Sequence, residues 1–194
     1  MNYRSLLALA VVATVVTGCL VPEKFAAKAS FQPDGSYVVS YDGTAVHALA
    51  AMQIMKAGKL NAKDEAALEN ELTKLKKNAD VKSVSYKNDG LYALSLEAKR
   101  TKAQTLDLVG IVKVSTGKDG VITLSSPELT AKDKKGLSRM GIKVDGTLNV
   151  SIPKNAEVVT HNATGTPSFL GTMGTYSWKI GSTDQRPLIK FRLK

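Results

Sequence analysis

The stretch IKVDGTLNVSI, residues 142–152, alternates apolar and polar side chains more regularly than any other part of the chain. Its apolar members are Ile142, Val144, Leu148, Val150 and Ile152, and polar side chains occupy most of the positions between them. A period of two is typical of a β-strand with one buried and one solvated face. The stretch therefore predicts a strand of a sheet that covers the core on one side.

The same alternation recurs in residues 25–31, 37–42, 92–99 and 188–194. Three turn sequences lie beside such segments: Pro33-Asp34-Gly35, Asn88-Asp89-Gly90 and Lys118-Asp119-Gly120. Alternating segments around a turn of this composition are typical of β-hairpins. Residues 106–114 are apolar on both faces in their middle, which predicts a strand in the centre of the sheet.

Two helices are predicted between the strands. Ala45–Ala57 is rich in Ala, Leu and Met and ends at Gly58, a favourable C-terminal stop. The second helix begins at Asn61, a good N-cap residue, and presents Leu68, Leu72 and Leu75 at helical spacing. The predicted fold class is α+β, a largely antiparallel sheet of hairpins with two helices inserted after the first strand pair.

The amino end has the layout of a secretory signal peptide: Arg4, an apolar run from Leu6 to Val16, and small residues before Cys19. Val16-Thr17-Gly18-Cys19 resembles the lipobox of bacterial lipoproteins, in which the peptide is cut before an acylated cysteine. Cleavage between Gly18 and Cys19 would leave residues 19–194 as a single α+β lipoprotein domain, without residues 1–18. A retained membrane span and an ordinary secretory signal are the alternatives.

This resemblance predicts a protein anchored to the bacterial cell envelope by acyl chains on Cys19. Several chains anchor a protein durably, whereas one gives only marginal binding. Leu20 rather than an aspartate follows the cysteine. In the sorting pattern of lipoproteins, this favours the outer membrane, facing the periplasm, if the organism has one.

The chain is basic, with 27 Lys and Arg against 17 Asp and Glu and a net charge of +10. Beside a bilayer this excess favours attraction to anionic head groups. Lysines spread over the whole surface for solubility would give the same composition, and both interpretations stay open. The single cysteine allows no disulfide within the chain.

Few features of the sequence indicate a catalytic or metal-binding site. Its two histidines, His47 and His161, are far apart, so we expect neither a metal site nor a cofactor. The stretch GLSRMG, residues 136–141, nearly resembles a nucleophile elbow, but its second glycine comes one residue late. A hydrolase that uses Ser138 or Ser177 with His161 is the weakest hypothesis, and we expect no enzymatic activity.

Basic clusters at residues 99–102 and 132–139 would suggest nucleic acid in another context. The export signal argues against such a partner, and the aromatic residues expected for single-strand binding are missing. The glycine-rich segment 165–177 contains Phe169, Leu170 and Met173, and Trp178 follows it. These four residues are candidate contacts for a ligand or a membrane. Packing of the loop residues back over the core is the alternative.

The segment EVVTHNA, residues 157–163, is followed by a glycine-rich gap and by GTYSW, residues 174–178. This arrangement resembles the C-terminal signature of LppM-type lipoprotein domains. The resemblance implies an envelope-anchored α+β domain that binds lipids or glycolipids, and it supplies no catalytic residues.

The leading hypothesis is accordingly a non-enzymatic, lipid-anchored envelope lipoprotein that binds a lipid, a glycolipid or an anionic membrane surface. The alternative is a module that scaffolds an envelope complex by adding a strand from a protein partner to an edge-like terminal strand, residues 188–194.

Overall fold

The computed structural model describes residues 20–167 and 175–194. In chain order, the elements are β1 (Leu20–Phe31), β2 (Tyr37–His47), α1 (Ala48–Ala57), α2 (Ala62–Lys76), β3 (Val81–Tyr86), β4 (Leu91–Arg100), β5 (Leu106–Leu108), β6 (Val112–Thr116), β7 (Ile122–Ser125), α3 (Ala131–Arg139), β8 (Asp145–Ser151), β9 (Ala156–His161), β10 (Tyr176–Ile180) and β11 (Leu188–Leu193). The α+β fold class is confirmed.

The strands form two mostly antiparallel sheets. The first has six strands in the order β10-β8-β1-β2-β4-β3, and the second has five in the order β5-β6-β7-β11-β9. Within the first sheet, β1 and β8 run parallel. One apolar cluster spans both sheets, and in it Phe31 packs edge-on against Phe191 with ring centroids 4.9 Å apart. The two sheets thus share a core.

The alternation that predicted the strands is confirmed by burial, although β8 is shorter than the predicted strand: Ile142 and Val144 precede it and Ile152 follows it. Gly146, Leu148 and Val150 of β8 are buried, whereas Thr147, between the first two, is exposed. In β1 the buried face carries Phe25, Ala27, Ala29 and Phe31. All three predicted turns join antiparallel strands: β1 to β2, β3 to β4, and β6 to β7.

The prediction of one central strand over residues 106–114 is wrong. The chain reverses at Val109 and Gly110, so the segment forms most of the β5–β6 hairpin, and β5 lies at the edge of its sheet. The apolar residues on both faces are explained by the buried turn, in which Val109 and Ile111 are 4% and 5% exposed.

The expectation that the C-terminal strand is a sheet edge is also wrong. β11 lies between β7 and β9 and pairs with both of them. The inward alternation of Ile189 and Phe191 is confirmed, since both side chains are fully buried. The edge beside β11 is β9, most of whose residues are exposed.

The two predicted helices are confirmed with one change of boundary. Residues 45–47 continue β2, where Val46 pairs with Leu91, so α1 begins at Ala48 and not at Ala45. It ends at Gly58, which adopts the left-handed conformation (φ 78°) of a C-cap. The side chain of Asn61 accepts the Asp64 N–H at 2.9 Å at the start of α2. The third helix, α3, was not predicted.

A buried ion pair ties the start of β3 to the end of β4. Arg100 donates to both carboxylate oxygens of Asp80, at 3.0 and 2.5 Å. Both side chains are largely buried, at 13% and 10% exposure. A bidentate arginine–carboxylate contact is among the stronger polar contacts in proteins. Hydrogen bonding to Asp80 raises the pKa of Arg100.

Of the helices in the described ranges, none combines the length and the hydrophobicity that a bilayer crossing requires.

Candidate functional site

An apolar pocket of about 510 Å³ lies where the first residues of β1 meet α3 and the β5–β6 turn. Its volume lies in the range of roughly 300–1,000 Å³ that is typical of small-molecule sites. Most of its lining side chains are aliphatic or aromatic, and its polar ones are Ser126, residues at the start of α3 and residues 182–186. The pocket can therefore hold an apolar group with a polar end.

The first wall of the pocket is the amino end of β1, which contributes Leu20, Val21, Pro22 and Phe25. The pairing of β1 with β2 shifts register between Pro22 and Phe25, which is a β-bulge or a similar irregularity. Gly146 leaves room for the Phe25 ring, because a Cβ atom at this glycine would lie 2.6 Å from it. This wall is therefore built by local features of β1 and its neighbour β8.

The second wall is the β5–β6 turn. The Ile111 N–H donates to the Leu108 carbonyl at 3.0 Å, and Val109 and Gly110 have φ values of 51° and 64°. Two successive residues with positive φ make a type I′ turn. This conformation is unfavourable for a β-branched residue, and it places Val109 in the lining of the pocket.

The third wall is α3 with the residues that flank it. Thr130 and Asp133 form a capping box at the start of the helix, in which Thr130 Oγ1 accepts the Asp133 N–H at 3.1 Å. Leu137 is buried in a small apolar cluster with Ala51 of α1 and Ile142. Gly136 lines the pocket, and a Cβ atom at this position would meet nothing within 4 Å.

The charged residues that line the pocket are two cations, Lys132 and Arg186, and one carboxylate, Asp133. Lys132 has no carboxylate partner among the described residues, whereas Arg186 pairs with Glu128 at 3.3 Å. Asp133 is the acidic lining residue, and hydrogen bonds from the Thr130 side chain and backbone lower its pKa. The Asp133 carboxylate therefore stays charged beside Lys132 and Arg186. Lys132, which has no carboxylate partner among the described residues, is the cation best placed to meet an anionic ligand.

Most of the candidate site residues from the sequence lie outside the described residues. These are Gly18 and Cys19 at the cleavage point, and Phe169, Leu170 and Met173 in the glycine-rich segment. Trp178 is described, and its side chain is only 5% exposed on β10. Its indole packs in the core cluster, and its role as a ligand or membrane contact stays a prediction.

The two halves of the C-terminal signature meet in space through Asn162. Trp178 Nε1 donates to Asn162 Oδ1 at 2.9 Å, and the Leu188 N–H donates to the same oxygen at 2.8 Å. Asn162 Nδ2 donates to the Arg186 carbonyl at 2.7 Å. One side chain thus joins the end of β9 to β10, to the start of β11 and to the backbone of Arg186, which lines the pocket.

The two histidines have separate local roles. His47 is the N-cap of α1, and its Nδ1 accepts the Ala50 N–H at 3.3 Å. His161 Nδ1 accepts the Ala163 N–H at 3.2 Å. Among the described residues, no three His, Cys, Asp or Glu side chains are grouped as a metal site would require. Ser138 lies in α3 and Ser177 in β10. The absence of enzymatic activity stays a prediction.

Sequence reasoning missed the pocket because its walls come from segments distant in the chain. One signal was present: Thr130 followed by Asp133 is a capping-box pattern that predicts the start of α3. The β5–β6 turn had no such signal, since valine is a residue that the left-handed conformation disfavours.

The fold and the pocket define an α+β domain of two sheets with an apolar cavity beside its first described residues. No family model matches the chain, and no curated protein matches it. It is similar to the NMR structure of the folded domain of LppM from Mycobacterium tuberculosis, with a TM-score of 0.40 and 13% identity over 92% of this chain and 94% of that one. This is a weak resemblance in fold.

Proposed function

We propose that this protein is a non-enzymatic envelope lipoprotein, anchored through Cys19, whose pocket binds the apolar chain of an anionic amphiphile. The observation that supports this proposal most strongly is the apolar cavity of about 510 Å³. Burying apolar surface is favourable by roughly 25 cal/mol per Å². An acyl chain can gain this free energy in a cavity whose lining offers few polar groups.

The charged residues of the pocket support an anionic head group. Lys132 and Arg186 both line the cavity, and a phosphate or carboxylate in contact with an arginine or lysine makes strong charge-assisted hydrogen bonds. Envelope lipids and free fatty acids both combine such a head group with an apolar chain. The proposed ligand class is therefore an anionic lipid or fatty acid.

The place of the pocket in the chain supports a membrane source for the ligand. Leu20, Val21 and Pro22 line the cavity, and the proposed acylated residue Cys19 directly precedes Leu20 in the sequence. An anchor at Cys19 would hold this end of the domain at the bilayer, where lipids are concentrated.

Substitutions of Gly136 test the proposal. Gly136→Phe would add a ring at a pocket-lining position where a Cβ atom meets nothing within 4 Å, and we expect it to weaken binding of a fluorescent fatty acid at least about tenfold, or ~1.4 kcal/mol. The matched control is Gly136→Ala, which adds one methyl group and should stabilise α3 by about 0.5–1 kcal/mol.

The measurement is a fluorescence titration of residues 20–194, with thermal unfolding of each variant as the check on folding. Wild type and Gly136→Ala should bind alike. Equal affinity in the folded Gly136→Phe variant, or no binding by the wild type, would contradict the proposal.

Binding of a protein partner is the second candidate function, and the strand edge that supports it is β9 rather than the C-terminal strand β11. β9 forms an edge of the five-stranded sheet, and its Val159 side chain is 53% exposed. An exposed edge can accept a strand from another chain. Crosslinking from β9 in living cells should recover an envelope protein if this candidate is correct, and it should recover none if it is not.

A further inference from the structure

Helix α1 presents an apolar face that no described part of the chain covers. Leu49 is 53% and Met55 is 49% exposed, and together with Val159 they are the large hydrophobic side chains that are exposed in residues 20–167 and 175–194. Met52, half-buried, lies between them at a spacing of three. Residues three apart in a helix are surface neighbours, so the three side chains form one apolar stripe.

The stripe lies next to the point where the proposed anchor joins the domain. In the β1–β2 pairing, Leu20 is directly opposite His47, the N-cap of α1. Leu49 follows His47 by two residues. Cys19 is bonded to Leu20, and consecutive Cα atoms are about 3.8 Å apart. An acyl anchor on Cys19 would therefore bring the start of α1 to the bilayer surface.

Charge at the other end of α1 suits the same surface. Lys56 in its last turn and Lys59 just after it are both exposed, and the helix itself contains no acidic residue. Lysine side chains can lie along apolar surface while their ammonium groups reach the head groups. Apolar side chains combined with exposed lysines are typical of helices that lie in a membrane interface.

We propose that α1 is a membrane-docking helix, which places Leu49, Met52 and Met55 against the bilayer that holds the anchor. Ala48, the first residue of α1, lines the pocket, so docking brings the pocket to the same surface and its ligand enters from the membrane. The proposal rests on the proposed anchor at Cys19, and it names the lipid bilayer as the occupant of this face.

Site-specific labelling of the mature, vesicle-bound lipoprotein tests this inference. Because the chain has one cysteine, which the anchor would block, an introduced cysteine is the free thiol for a polarity-sensitive NBD label. The labelled variants are Leu49→Cys and the matched control Val159→Cys, since both native side chains are 53% exposed. The vesicles contain phosphatidylethanolamine and phosphatidylglycerol, with and without a nitroxide-bearing lipid.

We expect NBD at position 49 to emit at shorter wavelength than NBD at position 159 on the same vesicles and to lose at least about half of its emission to the nitroxide lipid. NBD at position 159 should remain in water and unquenched. Emission typical of NBD in water at position 49, or equal quenching at both positions, would overturn the inference. So would protein that does not float with the vesicles, which is a failure of the anchor. A failure of the pocket is seen separately, in the Gly136 titration.

Discussion

Asn162 is an exposed residue whose side chain joins three segments of the chain, one of which lines the pocket. Its amide oxygen accepts two hydrogen bonds and its amide nitrogen donates a third, to segments that lie 16 to 26 residues further along the chain. The sequence pattern placed Asn162 and Trp178 in one signature, but it could not show that the two side chains are bonded. That contact depends on how β9, β10 and β11 come together.

We expect Asn162→Ala to destabilise the domain by about 1–3 kcal/mol, because the indole N–H of Trp178 loses its acceptor while the ring stays buried. Asn162→Asp is the control: it keeps an acceptor for Trp178 and Leu188 but replaces the donor to the Arg186 carbonyl with a second acceptor oxygen. Because residue 162 is exposed, this oxygen can turn to water, so the loss of stability should be smaller. Urea unfolding followed by fluorescence of the single tryptophan measures both. An unchanged midpoint in Asn162→Ala would contradict this account.

Strands were predicted well from the sequence and the pocket walls were not, and the difference has a physical cause. For a strand such as β8, local alternation in the sequence predicts which face is buried, because side chains on one face repeat every two residues. The β5–β6 turn has no such local signal. Its left-handed conformation at Val109 is one that valine disfavours, and burial of the Val109 side chain stabilises it. Likewise α3 is polar over most of its length, so the capping box and the buried Leu137 are the features that indicate a helix packed on the core.

The Val109 turn yields a test at the level of the hairpin. Outside turns, alanine is usually more stable than glycine by about 0.5–1 kcal/mol. At position 109 the order should reverse, because a left-handed conformation costs an alanine roughly 1–2 kcal/mol that glycine does not pay. We expect Val109→Gly to unfold at a higher urea concentration than Val109→Ala. Equal midpoints, or the usual order, would show that the turn is not strained.

At the scale of the whole molecule, two sheets and three helices leave an apolar cavity at the end of the domain that an anchor on Cys19 would tether. The cavity, the cations at its lining and the apolar stripe of α1 all lie near the first residues of β1. Sequence reasoning placed the ligand contact in the segment around Phe169, which lies outside the described residues. The structure offers a second location, which the sequence alone could not reveal.

Native mass spectrometry of residues 20–194, purified from a bacterial envelope without detergent, tests the central claim most directly. Tight complexes are mostly those that dissociate slowly, so a tightly held lipid should stay bound through purification. The account predicts one bound anionic lipid or fatty acid on wild type and on Gly136→Ala, and none on Gly136→Phe. A wild-type protein that carries no lipid, or the same lipid on the folded Gly136→Phe variant, would contradict it.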